Sequence, residues 1–513
     1  MRQETSKPTP IGRVGGPLRA VVGLACLVTV AAGAFAGSGT ATPRGAAAAA
    51  QSRPNVVVIE TDDQTQESMK VMSTVNSRIA AKGVTFANSF VNFSLCCPSR
   101  STFLTGQYAH NHGVLSNAPP NGGFSVFERR HAHDNLAVWL KRAGYSTGLI
   151  GKYLNLYGRR DPTLVPPGWT DWHAALDGGA PGVQGNSQAV YDYTLNENGA
   201  LVQYGGDPQD FKQDVLTQKA VDFIDDRAPQ PNPFFLWLTY TAPHFGGPNP
   251  SPQPPADCEN AAKPAPRHAD AFASTPFPTP PSFNEANVSD KPRYVRRLPK
   301  LDPPEVANLT RTYRCELESL LSVDQGVGRV LDALKAQGAL RDTYVVYTSD
   351  NGFMHGEHRI PGSKTVPYEE SIRVPLLIRG PGLPQDATAR DLAINADLAP
   401  TIARITGAKP RLTMDGRSLL GAARHPNRRT RRQLLIEASR FHGIPAYDAL
   451  RNRRYMLISY HDGERELYDL KKDPFELRNR ASSAANRKVE RRLSKSLRRL
   501  EHCAGRSCRV PGG

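Results

Sequence analysis

The sequence predicts an α/β fold in which a large, mostly parallel β-sheet is flanked by helices and is followed by a smaller antiparallel sheet with one helix. Two observations carry this prediction. Runs rich in β-branched residues alternate with helical patterns along most of the chain, which favours parallel strands that are covered on both faces. Near the C-terminus, short strand-like runs follow one another directly, which is typical of antiparallel strands.

The first predicted strand is NVVVIE, residues 55–60, a continuous apolar run of the kind that is buried on both faces of a sheet. A helix over LAVWLKRA, capped by Asp134 and Asn135 and ended by Gly144, leads to the next strand, YSTGLI. Helical patterns also precede the strands PFFLWLTYTAP and YVVYTSD. This repetition predicts βαβ units and therefore a parallel sheet.

The pattern changes after the helix NADLAPTIARITG, where QLLIEAS, RRYMLISYH and ERELYDL precede a basic helix at about 482–501. We predict a large α/β domain over residues 52–414 and a C-terminal α+β subdomain over residues 415–513. A proline-rich insertion at about 246–302 interrupts the first of these. We expect it to be a surface loop that shapes the substrate site, because long irregular segments inside compact domains are usually functional.

The first 36 residues have the composition of an export signal. Scattered basic residues precede the apolar run AVVGLACLVTVAAGAFA, and the small residues at its end suit a cleavage site. An uncleaved membrane anchor is the alternative, although the run is just short of a comfortable span. We therefore predict a signal peptide over residues 1–36 and a secreted or extracytoplasmic protein with no stable membrane span after cleavage.

Six cysteines follow this leader, and export permits disulfides. Cys503 and Cys508 form the best candidate pair. A pair between Cys258 and Cys315 is possible, but their spacing gives it no support.

The formal net charge is +16, and much of the positive charge lies in the last hundred residues. A basic exported protein tends to bind anions. The sequence shows no finger-like or aromatic-interleaved module for nucleic acid. Acidic polysaccharide or another anionic ester is therefore the expected partner, and nucleic acid is not.

Oxygen-bearing side chains follow two of the predicted strands. Asp62 and Asp63 come directly after the first strand, and Asp350 and Asn351 follow YVVYTS. Open α/β sheets place ligands beyond the carboxyl ends of their strands. Carboxylate and amide oxygens there predict a site for a hard cation, either Ca²⁺ or Mg²⁺.

The segment CCPSRSTFLTG, residues 96–106, places two adjacent cysteines at the start of a predicted helix. Pro98 is favoured in a first turn, and the free N–H groups of a helix N-terminus attract anions. Arg100 adds a planar cation that suits bidentate contact with a tetrahedral oxyanion.

Further donor side chains stand in predicted loops at strand ends. Lys152 follows YSTGLIG, His244 follows LTYTAP, and Lys364 lies in RIPGSK. Each of them alone would be interpreted as a loop or core residue, but their shared placement favours a common anion site. TGLIGK is not a phosphate-binding loop, because its glycine spacing is one residue short and no Ser or Thr follows the lysine.

These motifs resemble the formylglycine-dependent (type I) sulfatases of the alkaline phosphatase superfamily. Cys-x-Pro-Ser-Arg followed by Leu-Thr-Gly is specific to them, and TDDQ, GKYLNLYG, APHF, SDNGFMHGEHRIPGSK and ELYDLKKDPFELRN extend the resemblance over nearly the whole exported chain. CCPSR, HNHGV and GKYLN are most similar to the branch with N-acetylglucosamine-6-sulfatases and endo-acting heparan sulfatases. The resemblance implies an alkaline-phosphatase-like fold.

The resemblance also implies a role for each matched residue. Cys96 would be converted to 3-oxoalanine (formylglycine) by a formylglycine-generating enzyme, while Cys97 would be a variable neighbour. Arg100 and Lys152 would hold the formylglycine hydrate, and His244 and Lys364 would hold the sulfate and assist the leaving oxygen. The implied ligands of Ca²⁺, with Mg²⁺ less favoured, are Asp62, Asp63, Asp350, Asn351 and the oxygen of the modified Cys96.

One departure from the family pattern concerns Leu154, which stands where many sulfatases have a histidine. We hypothesise that His112, or else His110, deprotonates the hydrate instead.

The predicted function is therefore that of an exported sulfatase acting on sulfated sugars of the glucosamine 6-sulfate type or on aryl sulfates. One alternative is a phosphodiesterase or phosphonate hydrolase on the same scaffold. Another is a catalytically inert carbohydrate-binding relative, in which both thiols stay free or form a vicinal disulfide.

Overall fold

The structure, a computed structural model, describes residues 53–246, 258 and 261–509. The predicted signal peptide and part of the proline-rich insertion lie outside the described residues. The described residues belong to one compact unit, so the boundary near residue 415 stays a prediction. No helix among them is long and apolar enough to span a bilayer.

Ten strands form a large mixed sheet in the order β10-β2-β9-β8-β1-β7-β3-β4-β5-β6. The central strands β8, β1, β7 and β3 run parallel to one another, while β9 is antiparallel to both of its neighbours. The α/β class is therefore confirmed. The ten strands are β1 (Asn55–Asp62), β2 (Val84–Phe90), β3 (Ser146–Lys152), β4 (Asp171–Ala175), β5 (Tyr193–Glu197), β6 (Ala200–Tyr204), β7 (Phe234–Pro243), β8 (Thr343–Ser349), β9 (Leu376–Arg379) and β10 (Ala387–Ile394).

Helices cover both faces of this sheet. Alternate residues of β1 enter separate apolar layers: Val56 and Val58 belong to one, Val57 and Ile59 to the other. This explains the unbroken apolar run, since a strand covered on both faces has no solvent side. The helices are α1 (Ser73–Val75), α2 (Cys96–Thr105), α3 (Ala109–His112), α4 (Phe124–His131), α5 (Leu136–Arg142), α6 (Lys212–Arg227), α7 (Arg293–Arg296), α8 (Pro303–Ala336), α9 (Glu369–Ile372), α10 (Leu398–Thr406), α11 (Leu420–Arg424), α12 (Arg487–Leu500) and α13 (Arg506–Arg509).

Short helical turns complete the secondary structure: Glu67–Val71, Asn76–Ala80, Pro208–Asp210, Pro266–His268, Ala339–Asp342, Asn395–Asp397 and Ala484–Asn486. The longest helix, α8, begins where the sequence LDPPE supplies a capping box. The side chain of Asp302 accepts from the N–H of Glu305, and the side chain of Glu305 accepts from the N–H of Asp302, both at 2.8 Å.

A second sheet of four antiparallel strands follows, in the order β11-β12-β13-β14. Its strands are β11 (Gln433–Ala438), β12 (Tyr447–Asn452), β13 (Tyr455–Tyr460) and β14 (Arg465–Asp469). The helix α12 contributes Leu493, Leu497 and Leu500 to the same apolar cluster as these strands. The predicted small sheet with a packed helix is confirmed.

Both candidate disulfides are present, Cys503–Cys508 and Cys258–Cys315. The second ties the insertion to α8 across 57 residues of sequence, a contact that spacing alone does not reveal. Cys96 and Cys97 are free thiols and do not form a vicinal disulfide.

A buried glutamate links the second sheet to the segment before α9. Glu466 accepts hydrogen bonds from the hydroxyls of Tyr368 at 3.1 Å, Tyr460 at 2.7 Å and Tyr468. Burial raises the pKa of Glu466 from 4.5 to about 7. The folded state therefore binds this proton more tightly than the unfolded chain does. The resulting stability is fully present below pH 4.5 and is lost as the pH rises through about 7.

We expect Glu466→Gln to reduce this pH dependence, because the amide keeps hydrogen-bonding groups and does not ionise. From pH 5 to pH 8, the unfolding free energy of the wild type should fall by up to about 3 kcal/mol more than that of the variant. Urea unfolding at both pH values measures this difference. Glu464→Gln, which changes a half-exposed glutamate of the same hairpin, is the matched control; identical pH profiles for all three proteins would contradict the prediction.

Candidate active site

The carboxyl ends of four parallel strands meet at one edge of the large sheet. β1 ends at Asp62 and β3 at Lys152, while His244 follows β7 and Asp350 follows β8. Because these strands are neighbours in the order β8-β1-β7-β3, their terminal side chains lie side by side. The structure thus brings together residues that are almost 300 positions apart in sequence.

The helix α2 points its first turn at this edge. Leu95 caps the helix in an extended conformation, and its carbonyl accepts the first helical bond, from the N–H of Ser99 at 2.9 Å. The N–H of Cys97 is bound by the side-chain oxygen of Asn117 at 2.9 Å. All ten residues of α2 are buried, and Gly106, with φ of 67°, ends it in the left-handed region.

Cys96 lies at the centre of the resulting cluster. Its Sγ atom is 2.9 Å from Lys364 Nζ and 3.6 Å from Asp62 Oδ1, and the residue is 1% exposed. Burial and, secondarily, the Asp62 carboxylate raise the pKa of the Cys96 thiol to about 12. The unmodified side chain is thus a neutral thiol near pH 7 and a poor nucleophile.

Arg100 joins three of the strand ends. Its Nε donates to Asp350 Oδ2 at 2.8 Å, one Nη donates to Asp62 Oδ2 at 3.2 Å, and the other donates to the carbonyl of Lys152 at 2.9 Å. The side chain is completely buried. This guanidinium therefore fixes the relative positions of β8, β1 and β3 at their carboxyl ends.

Two ammonium groups also belong to the cluster. Lys152 Nζ donates to Asp62, and Lys364 Nζ donates to Asp63 as well as to Cys96. Although burial opposes its ionisation, the surrounding cations, with Lys152 first, hold the pKa of Asp62 well below its usual range. The pKa of Lys364 is raised well above its usual value by the same carboxylates, against the effect of burial. These groups are therefore charged at neutral pH.

His244 faces the same cluster. Its Nδ1 donates to the carbonyl of Phe245 at 2.9 Å, so the Nε2 lone pair points toward Asp63 Oδ2, 3.7 Å away, and toward the amide of Gln188, 3.5 Å away. Burial lowers the pKa of His244. A neutral imidazole held in this tautomer can accept a proton at Nε2.

Several side chains of the cluster could hold a divalent cation. Potential ligand atoms of Asp62, Asp63, Cys96 and His244 lie within 4.8 Å of one another. The side-chain oxygen of Asn351 is buried without a hydrogen-bond partner, although its amide donates to Asp63. An unpaired buried carbonyl oxygen beside converging carboxylates is a costly arrangement unless a cation binds there.

The structure places His112 and His110 outside the cluster at the strand ends. His112 Nε2 lies 3.0 Å from Thr102 Oγ1, and its Nδ1 accepts from the N–H of Val114 at 3.1 Å. Thr102 is six residues beyond Cys96 on α2, which corresponds to about 9 Å along the helix axis. His110 binds Glu437 and the carbonyl of Cys503. The role of His112 as a base stays a prediction.

Sequence reasoning missed two residues of the cluster. Glu60 is 2% exposed, and its buried Oε1 lies 3.4 Å from an Nη of Arg100 without forming a hydrogen bond. A charged residue inside an otherwise apolar strand could have signalled it, since such a residue needs a partner. Gln188, which contacts His244, is on a loop 56 residues earlier, and no pattern in the sequence marks it.

Two family models match this chain. The one described as "Sulfatase" matches residues 54–408, and the one described as "N-sulphoglucosamine sulphohydrolase, C-terminal" matches residues 356–503.

Relatives with curated names match most of the chain. A Caenorhabditis elegans protein named as a homolog of extracellular sulfatase Sulf-1 is 36% identical over 72% of this chain, which spans about half (49%) of that relative's length. An arylsulfatase of Volvox carteri is 33% identical, covering 91% of this chain and 77% of the relative. The human N-acetylglucosamine-6-sulfatase is 31% identical, covering 91% of this chain and 87% of the relative.

A solved structure has a similar fold. It superposes with a TM-score of 0.70 and 25% sequence identity, covering 88% of this chain and 97% of the other. That protein was crystallised in complex with its substrate, D-glucosamine-2-N,6-O-disulfate.

Proposed function

This chain belongs to the sulfatase family, and from that membership we propose that it is an exported sulfatase that hydrolyses the 6-O-sulfate of glucosamine-type sugars. The observation that carries the proposal is the convergence of four strand ends near Cys96, where carboxylates and cations are paired around the thiol. Such a site can bind a sulfate ester and stabilise the charge that develops on its oxygens.

In this proposal position 96 acts after modification, because a single thiol or hydroxyl could not both attack sulfur and then expel sulfate. We assign Cys96 as the site of conversion to formylglycine. An aldehyde hydrate supplies one hydroxyl for attack on sulfur and a second one for the release of sulfate. Arg100 and Lys152 both contact one oxygen of Asp62, whose other oxygen lies 3.6 Å from Sγ. These two cations are therefore placed to orient the oxygens of the modified side chain.

Asp62, Asp63, Asp350 and Asn351 would hold Ca²⁺. Once bound, the cation draws negative charge from the sulfate oxygens. Ca²⁺ suits this set better than Mg²⁺, because it accepts more oxygen ligands in flexible geometry, whereas Mg²⁺ usually retains several waters.

Lys364 and His244 serve the leaving group in this proposal. Lys364 contacts both Cys96 and Asp63, and its side chain is 12% exposed, so it is at the open side of the cluster, where a substrate enters. Lys364, as an ammonium, can donate a proton to the leaving oxygen. His244, whose Nδ1–H is fixed by the carbonyl of Phe245, can do so once Nε2 has taken up a proton.

We expect His244→Ala to lower kcat by about 10²- to 10⁴-fold, the usual contribution of a general acid or base. His112→Gln should lower kcat by less than about tenfold, because His112 is bound to Thr102 and not to the cluster. Steady-state kinetics with glucosamine 6-sulfate, whose leaving alkoxide needs a proton, compares the two variants, and thermal unfolding shows whether each is folded. A 10²-fold loss in a folded His112→Gln protein would instead assign the base to His112.

The substrate is supported by the name of the human relative and by the ligand of the similar solved structure. The decisive assay measures release of free sulfate from glucosamine 6-sulfate, glucosamine N-sulfate and 4-nitrophenyl sulfate, with 4-nitrophenyl phosphate alongside. We expect the highest kcat/KM for the 6-sulfate. Preference for the phosphate ester would overturn the proposal in favour of a phosphorus-ester hydrolase. Absence of turnover, together with an unmodified thiol in the Cys96 peptide by mass spectrometry, would favour an inert binding protein.

Export is also part of the proposal, and the extracellular name of one relative supports it. N-terminal sequencing of the mature protein should give a start just after residue 36. A full-length intracellular product would contradict it.

A further inference from the structure

The outer face of α12 carries a high density of exposed positive charge. Seven of the fourteen residues in this helix are exposed Lys or Arg, and Glu490 is its single acidic residue. Glu490 pairs with Arg465 of β14 at 3.3 Å, and among the described residues none of the seven forms an ion pair with a carboxylate. They are Arg487, Lys488, Arg491, Arg492, Lys495, Arg498 and Arg499.

Part of this charge lines a groove. The groove has a volume of about 240 Å³ and lies between α12 and β14. On the helix Arg487, Arg491, Ser494 and Arg498 follow one another at intervals of three or four positions and therefore form one stripe, about 16 Å long at 1.5 Å per residue. The lining residues are Arg465, Arg487, Glu490, Arg491, Ser494 and Arg498.

Folding alone does not account for this stripe. Like charges four residues apart on a helix destabilise it, and Arg487 and Arg491 are such a pair. The apolar side of α12 is held against the second sheet through Leu493, Leu497 and Leu500, so the guanidinium groups are presented on a fixed surface. A bound polyanion would offset their mutual repulsion.

We propose that the groove of α12 and Arg465 docks a sulfated polysaccharide chain at a site separate from Cys96. An extended chain fits the length of the stripe, and guanidinium groups match oxyanions with paired N–H donors. The apolar side of the helix is buried and cannot insert into a bilayer, and α12 has no aromatic residue on which a nucleic-acid base could stack. The choice of a sulfated chain rests on the proposed function.

The test is a calorimetric titration of the Cys96→Ala protein, which should not consume the ligand, with a size-defined heparin oligosaccharide at 0.15 M NaCl. We expect a triple variant of the groove (Arg487→Gln, Arg491→Gln, Arg498→Gln) to bind about tenfold more weakly, with a reduced salt dependence because fewer counterions are displaced. The matched control has the same loss of charge on the adjacent stripe (Lys488→Gln, Arg492→Gln, Arg499→Gln) and should change affinity by less than about threefold. If both triple variants weaken heparin binding equally, the groove is not the docking site.

The same groove variant with Cys96 intact gives a second readout. Its KM for the sulfated polymer should rise about tenfold at unchanged kcat, while its kinetics with glucosamine 6-sulfate stay as in the wild type, because the groove acts on the chain and not on the ester. Duplex DNA or anionic vesicles that bind as tightly as heparin would overturn the assignment of the partner. If the protein with Cys96 intact shows no sulfatase activity while the two triple variants still differ in heparin binding, the proposed function is refuted and the docking surface stands.

Discussion

Cys96→Ala is expected to abolish turnover, with kcat at least about 10⁴-fold below that of the wild type, while Cys97→Ala keeps at least about a tenth of it. The two thiols are adjacent and both completely buried, yet their surroundings differ. Cys96 contacts Asp62 and Lys364 at the strand ends, whereas Cys97 belongs to the apolar cluster on one face of the sheet. Loss of the second sulfur leaves a small cavity, which should cost about 1 kcal/mol of stability.

Cys96→Ser separates the steps of the reaction. Its hydroxyl can attack sulfur, but it has no second hydroxyl to expel sulfate, so we expect at most one turnover per active site and a stable sulfated protein. A burst assay with 4-nitrophenyl sulfate and the mass of the intact protein measure this outcome. Sustained turnover in either Cys96 variant would refute the catalytic role of Cys96. A complete loss of turnover in a well-folded Cys97→Ala protein would assign that role to Cys97.

The placement of the site could be predicted from the sequence because it follows from strand direction. Asp62, Lys152, His244 and Asp350 each stand at the end of a predicted strand, and parallel strands that are joined by helices carry their carboxyl ends to one edge. Proximity in space then requires only that the strands be neighbours. The α/β class and the small second sheet were predictable for the same reason, since both depend on local periodicity.

Contacts that no local pattern encodes could not be predicted. The approach of Gln188 to His244 depends on how a loop folds back over β7, and the Cys258–Cys315 disulfide depends on the path of the insertion. The contacts of His112 belong to the same class. Its hydrogen bond to Thr102, six residues beyond Cys96 on α2, follows from how α3 packs on α2, and its predicted role as a base is left to the kinetics of its variants.

The cluster combines three aspartates with three cationic side chains, and among the aspartates Asp62 is the one whose replacement should have the largest effect on kcat. Asp62 is the shared partner of Arg100, Lys152 and, at 3.9 Å, Lys364. We expect Asp62→Asn to lower kcat by more than about 10³-fold, because it removes a proposed Ca²⁺ ligand and the carboxylate that binds both Arg100 and Lys152. It should also cost about 3 kcal/mol of stability, since Arg100 and Lys152 then keep fewer opposite charges in a buried site.

Ca²⁺ binding distinguishes a ligand from a structural ion-pair partner. At a Ca²⁺ concentration of about 100 times Kd the wild type should gain about 2.7 kcal/mol of unfolding free energy over the chelated protein, and Asp62→Asn should gain almost none. Asn351→Ala removes a neutral ligand without leaving a buried charge unpaired, so it should lose the Ca²⁺ effect even if Asp62→Asn folds poorly. Asp214→Asn, which breaks a partly exposed pair with Arg267, is the control and should keep the full effect. A Ca²⁺-dependent increase in Tm that survives in both site variants would place the cation elsewhere, because neither carboxylate nor amide at the strand ends would then be needed to hold it.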